Sequence, residues 1–480
     1  MTPRPLLRRA PLALALGLSL FAGACQRQAT PPPAAAAPAA PAAATAPVAA
    51  GATAEGAHLT AIDNFDAAMA KAKAEGKAVL VDAWAPWCHT CLSMQNYVIN
   101  DPSLAQLGER VVLVELDTDK PENAKFLETY KVSVWPTFFV IDPATGKATG
   151  LWPGSASVRE FRGFVEDGLA GIEVEHAGGD DGKNPAHHMV AAKTAQAAGQ
   201  YAVAARHYEE AVAVADAAWP RRSEALMGWL FSLDKAGDPA ACVRVGREHL
   251  AQVQGAAVPA DYSATLLSCA GDEKAGPDAK AATADALARL RAFTAAPPAD
   301  ASADDRADAW NILGATLAEA GDKAGARHAQ EMRLAILEKA AAGIEDPLLA
   351  QTYDYALAQS YVALDRGDDA VKMLEAREKE LPTSYEPPAR LGSALTKMGR
   401  LPQAVAAYDR AIAKSYGPRQ LLYFRQKADA QNLMGDIPGQ IATLRAQVAA
   451  YEALGKGHAD PEGLAAAKKR LAEAEQKRGA

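Results

Sequence analysis

The sequence offers little for a polyanion to hold. No basic run stands out beyond the first few positions, and 50 Lys and Arg face 58 Asp and Glu, a formal net charge of −8. Nucleic acid is therefore not an expected partner. Aromatic residues are scarce, at 6%, while alanine is abundant. That balance favours helices in close contact over a β-rich fold. Past residue 25 no further hydrophobic stretch is long enough to span a bilayer. Cysteine is limited to five positions, so each can be weighed singly. At 480 residues the chain exceeds one ordinary core, and two or three domains are expected.

What is present begins with a targeting segment over residues 1–25. Arg4, Arg8 and Arg9 precede an apolar run, residues 11–24, too short for a comfortable membrane span. It ends in Ala22-Gly23-Ala24-Cys25, which resembles the lipobox of bacterial lipoproteins, with Ala22 where leucine is more usual. The resemblance implies cleavage before Cys25 and a lipid on its sulfur. The body would then be exported and anchored to a membrane, on the periplasmic side in a two-membrane cell. Gln26 is not an acidic retention signal, which favours the outer membrane. Residues 26–57 are rich in Ala and Pro and read as a spacer. In polyproline form, at about 3.1 Å per residue, it reaches up to roughly 90 Å.

Residues 58–170 alternate in character. Helical spacing over 62–74 is closed by Gly76, and 78–84 is a short apolar run suited to a buried strand. A helix over 88–98, a strand over 111–116, a helix over 122–130, strands over 137–141 and 149–152 and a helix over 158–169 follow. This alternation implies a sheet covered on both faces. A polar, glycine-rich linker, 171–184, leads into 185–480, which is almost wholly helix-forming. Turn glycines recur there at Gly199, Gly237, Gly271, Gly321, Gly367, Gly399 and Gly435, the mark of stacked helical hairpins. Tyr201, Ala204, Tyr208 and Ala211, and again Leu401, Ala404, Tyr408 and Ala411, resemble the tetratricopeptide repeat.

The chemistry gathers in Val81-Asp82-Ala83-Trp84-Ala85-Pro86-Trp87-Cys88-His89-Thr90-Cys91. A strand ends and a helix begins at Cys88, where the helix terminus stabilises a thiolate. Cys91, one turn on, is placed to resolve a mixed disulfide. A bare C-x-x-C also fits a zinc knuckle or a structural bond. No second C-x-x-C or C-x-x-H accompanies it, so neither a metal nor a cofactor is expected. Asp82, six residues before Cys88, is placed to act as a general base toward Cys91. Trp135-Pro136-Thr137 precedes an apolar strand, and a cis proline there would present an edge to an extended substrate.

Together these residues resemble the thioredoxin superfamily. Asn100-Asp101-Pro102-Ser103 and Asp117-Thr118-Asp119 further resemble the C-terminal domain of DsbD-class thiol:disulfide interchange proteins. The resemblance implies a solvent-facing nucleophile at Cys88, a buried resolver at Cys91, an acid at Asp82 and a cis bond before Pro136. The fold class is thus an α/β thioredoxin-like domain followed by an all-α helical-hairpin (tetratricopeptide-like) solenoid. The sequence departs from better-known relatives at His89-Thr90, at Trp135, and at Glu115, which stands near Asp82 where no lysine is found. Trp87, His89, Trp135 and Thr137 are candidate substrate contacts. His89 with Met94 also raises copper, although methionine at that spacing is more often core. Cys242 and Cys269 fall in consecutive hairpins, either as a structural disulfide or as two buried thiols.

The function expected is thiol:disulfide exchange on an exported protein substrate, with a separate redox partner and a client or partner on the repeat surface. Two alternatives remain. In one, the repeats act as an adaptor or assembly factor and the redox fold is passive. In the other, the chain delivers a metal.

Overall fold

The computed structural model describes Leu59 and residues 61–178 and 182–479. The expected leader, Cys25 and the spacer lie outside the described residues.

Five strands form one sheet in the order β1-β3-β2-β4-β5. β2 (Ala78–Trp84) is apolar except for Asp82, and runs parallel to β3 (Val111–Asp117). β1 (Ala61–Ile62) adds a short parallel edge beside β3. β4 (Thr137–Ile141) and β5 (Ala148–Pro153) continue antiparallel on the other side. Alternation along β2 sends Val79 and Val81 into one core and Leu80 into the other. The first core also holds Val114, Leu116, Phe126 and Phe139, and the second holds Met94, Phe138, Phe161 and Val165. Asp82 shares the parity of Leu80.

Four helices flank the sheet: α1 (Phe65–Glu75), α2 (His89–Met94), α3 (Ala124–Thr129) and α4 (Val158–Ala177). The structure corrects several sequence boundaries. Ile62 belongs to the edge strand, and α1 starts later because Asn64 caps it by accepting from the Ala67 amide. The helix expected over 88–98 is α2 followed by a π-helical turn, Gln95–Ile99. α4 runs on to Ala177, so six residues of the expected linker after Gly171 are helical. Gly171 is buried, where a side chain would press on Val190 and Thr149, so it belongs to a packed helix face rather than to a loop.

Fifteen helices follow among the described residues. The first are α5 (Pro185–Ala197), α6 (Tyr201–Val214), α7 (Arg222–Ala236), α8 (Pro239–His249), α9 (Val258–Ala270) and α10 (Ala279–Ala295). Next come α11 (Ala303–Glu319), α12 (Lys323–Ala341), α13 (Pro347–Ala363), α14 (Gly367–Glu380) and α15 (Glu386–Lys397). The last are α16 (Leu401–Lys414), α17 (Gly417–Met434), α18 (Ile437–Glu452) and α19 (Pro461–Gly479). Neighbours pack as successive hairpins. Small residues let them approach: Gly228 lies under the buried Tyr208 ring and Gly392 under Tyr408. At the turn before α14 the left-handed residue is Asp365 (φ 64°), not Gly367, which opens the helix and packs on Met398.

The array wraps the sheet domain from end to end. Thr194 of α5 donates to the Ala148 carbonyl of β5 at 3.0 Å, and buried Lys193, paired with Glu224 of α7, donates to the Leu151 carbonyl of the same strand. Glu160 of α4 accepts from the Ala256 amide at 3.0 Å, and Ser155 donates to Asp305 of α11. Further along, Asn96 donates to Thr352 of α13 at 3.1 Å, and His458 donates to the Thr118 carbonyl at 2.7 Å. At α17 the backbones come close: a Cβ on Gly417 would collide with the Asp119 carbonyl.

Candidate functional site

Cys88 caps α2: its Sγ accepts from the Cys91 amide at 3.0 Å, and the two sulfurs are bonded, with Cα atoms 5.2 Å apart. The apolar strand β2 brings the chain to this point, and the helical turn sets the spacing of the pair. Trp135–Pro136 is cis, and Thr137 donates to the Val134 carbonyl at 2.6 Å.

Asp82 is fully buried. One carboxylate oxygen accepts from Gln95 Nε2 at 3.2 Å, and the other has no partner. Burial pushes its pKa well above the ordinary carboxylate range, and Glu115, its partner in register on β3, pushes it further. Both influences favour the protonated form, and a carboxyl held this way is placed to exchange a proton with a neighbouring thiol.

The expectation of a solvent-facing Cys88 is corrected: only 5% of it is exposed, and Cys91 is wholly buried. The cause is the repeat array, which packs α13 directly on α2. The four candidate substrate contacts are occupied by this chain. Trp87 donates to Asp119 at 2.7 Å, packs on Trp135 at 5.4 Å between ring centroids, and is capped by the Arg419 guanidinium at 4.0 Å. Trp135 donates to Thr118 at 2.7 Å, and Thr137 is buried. His89 lies against Asp304 and Asp308 of α11 and stacks on Tyr355 of α13 at 5.6 Å. Burial raises the pKa of Asp119 to about 6, against the pull of Trp87 and Arg419. Met94 is core, with its sulfur accepting from the Ala156 amide at 3.2 Å.

Residues 60–143 match the family described as Thioredoxin-like. This is a thioredoxin-like domain. Protein disulfide isomerase-like 2-2 of Oryza sativa is 33% identical over 107 residues, which are 22% of this chain and 27% of that protein. The thiol:disulfide interchange protein DsbD of Pseudoalteromonas atlantica is 31% identical over 83 residues, 17% of this chain and 14% of that one. The chain thus spans about a quarter or less of the length of these relatives. A tetratricopeptide repeat protein from Parabacteroides merdae aligns over 61% of this chain and 98% of its own, with 10% identity and a TM-score of 0.39.

Sequence reasoning missed the partners supplied by the repeats: Asp304, Asp308, Tyr355, Arg419, and Tyr416, whose hydroxyl donates to Asp117 at the end of β3. Each looks locally like an ordinary helix-surface residue. Asp304 in particular sits in a first helical turn, where acids are common for reasons of the helix dipole. Cys242 and Cys269, left open between bond and thiols, are bonded, joining buried faces of α8 and α9. They play no part in the site.

Proposed function

We propose that the chain is a thiol:disulfide oxidoreductase that exchanges electrons with an exported protein client through Cys88 and Cys91. One observation carries this reading: a bonded cysteine pair at the start of α2 stands in the same sheet-and-helix frame as a buried Asp82 with an unpaired oxygen. In the reductive direction, Cys88 thiolate attacks a client disulfide, giving a mixed disulfide and one client thiolate. Cys91 yields its proton to ionised Asp82 and attacks the Cys88 sulfur, releasing the second client thiolate. Two electrons have then passed to the client, and Cys88–Cys91 is oxidised. A separate redox partner restores the dithiol; run backwards, the same steps install a disulfide. The lipid anchor at Cys25 holds this chemistry at a membrane, and repeat surfaces not covering the redox domain hold the client or partner.

The burial of Cys88 requires that α13 and its neighbours withdraw from α2, or admit a client strand, during turnover. The same burial favours a second reading, in which the redox domain is a fixed part of a repeat-based adaptor. Cys88→Ala separates them: loss of disulfide exchange and of biological function supports the oxidoreductase, and full function without Cys88 supports the adaptor.

A further inference from the structure

His89 follows Cys88 directly, yet its environment is made by residues more than 200 positions away. Asp304 Oδ1 lies 2.9 Å from Nδ1, and Asp308 Oδ2 lies 3.9 Å from Nε2. Both ring nitrogens thus face carboxylate oxygens. A neutral imidazole donates through one nitrogen only, so the doubly protonated cation is the form that serves both. Asp304 presses the same conclusion from its own side. It is 2% exposed, its second oxygen has no hydrogen-bond partner, and a buried carboxylate needs a cation beside it.

Asp304 has no local task that would account for this placement. The capping box of α11 is made by Ser302 and Asp305. The other groups facing His89 are Arg333 of α12, whose Nη2 is 4.0 Å from Asp308, and the Tyr355 ring of α13.

We propose that Asp304, supported by Asp308, is a positioning residue of the redox centre, through which the repeat array holds His89 as an imidazolium beside Cys88 and so stabilises the Cys88 thiolate. The inference rests on the thiol-exchange reading and deepens it, since it makes α11 part of the active centre and not only its cover. Burial alone would lower the His89 pKa, but Asp304 and Asp308 outweigh it and raise the value to about 9. Asp308 itself is pushed up to about 6 by burial, against the pull of His89 and Arg333. Asp304 bonds to His89 and not to either sulfur, and its own negative charge opposes a thiolate, so a loss of thiolate on its removal can come only from the histidine.

The test uses the reduced full-length chain. Thiolate is followed by ultraviolet absorbance across pH, as the difference from Cys88→Ser, and the His89 ring by NMR. Asp304→Asn should move the His89 titration from about 9 into the ordinary histidine range. Between the two His89 pKa values, where the ring is cationic in the parent and neutral in the variant, it should also leave less Cys88 thiolate, with the thiol pKa raised by about one unit, a tenfold change in the ionisation constant. Asp304→Glu should restore both readouts. His89→Gln should reproduce the thiolate loss, with Asp304→Asn adding nothing to it. Asp308→Asn, at a more exposed position, should give a smaller shift of the same sign, and it carries the test should Asp304→Asn unfold the protein. An unchanged His89 titration, or losses from the two substitutions that simply add, would overturn the proposal. Failure of every variant and the parent to exchange with a client disulfide would instead sink the oxidoreductase reading, while the two titrations still judge the coupling.

Discussion

Asp82 and Glu115 stand directly opposite each other on parallel strands, two carboxyls in register with no lysine between them. Burial and this neighbour both favour the protonated form of Asp82. Its folded pKa therefore lies above its unfolded one. The folded state holds the extra proton, so stability falls as pH rises from the unfolded pKa through the folded pKa. Asp82→Asn should remove that decline in denaturant titrations, leaving the variant more stable than the parent in alkaline buffer. It should also slow resolution of the mixed disulfide by on the order of 10²-fold, the usual scale of a lost general base. A stability profile unchanged by the substitution would contradict the assignment.

Glu115→Gln tests the pair from the other side. Removing the neighbouring charge lowers the Asp82 pKa while leaving its burial intact. The pH at which resolution becomes fast should therefore move downward, without loss of the maximal rate. Stopped-flow decay of a mixed disulfide across pH reads this directly. An unmoved profile would mean that Glu115 is screened from Asp82.

Gly417 tests the cover over the site. Its φ of 57° and its contact with the Asp119 carbonyl both exclude a side chain. Gly417→Val should loosen α17 from the loop that carries Asp119 and the Trp87 contact. Alkylation of reduced Cys88 by a bulky maleimide should then quicken, while unfolding of the redox sheet stays close to that of the parent. Equal labelling rates would show that α17 does not limit access.

The Cys242–Cys269 bond closes a segment with a sequence separation of 27, for which chain entropy gives about 3–4 kcal/mol of stabilisation. Cys242→Ser with Cys269→Ser should lose stability on that scale in denaturant titrations and leave the Cys88–Cys91 potential unchanged. A shifted potential would link the two bonds, against the separation described here.

How much of this was legible depended on the distance between partners. Buried strands such as Ala78–Trp84 and Val111–Asp117 announce themselves as continuous apolar runs, and Cys88, Cys91, Asp82 and Pro136 lie within or beside them. The two-residue strand Ala61–Ile62 does not, because a single edge pairing with β3 leaves no periodic trace. The helical hairpins were legible from alanine spacing and turn residues. Their docking on the redox domain was not. Asp304, Tyr355 and Arg419 acquire their roles only when the array closes on Trp87 and His89, and no local pattern distinguishes them from solvated helix residues. The missing contacts also explain the one consequential error, a nucleophile expected in solvent and found beneath α13.

The central claim is tested most directly by equilibrating the full-length chain in graded glutathione buffers and mapping the Cys88–Cys91 pair by differential alkylation. The account predicts a reversible two-electron transition with a potential between about −270 and −120 mV, the span of dedicated exchange proteins. A pair that stays fixed across the whole series, as bond or as thiols, would contradict it and leave the redox domain as a structural part of a repeat protein.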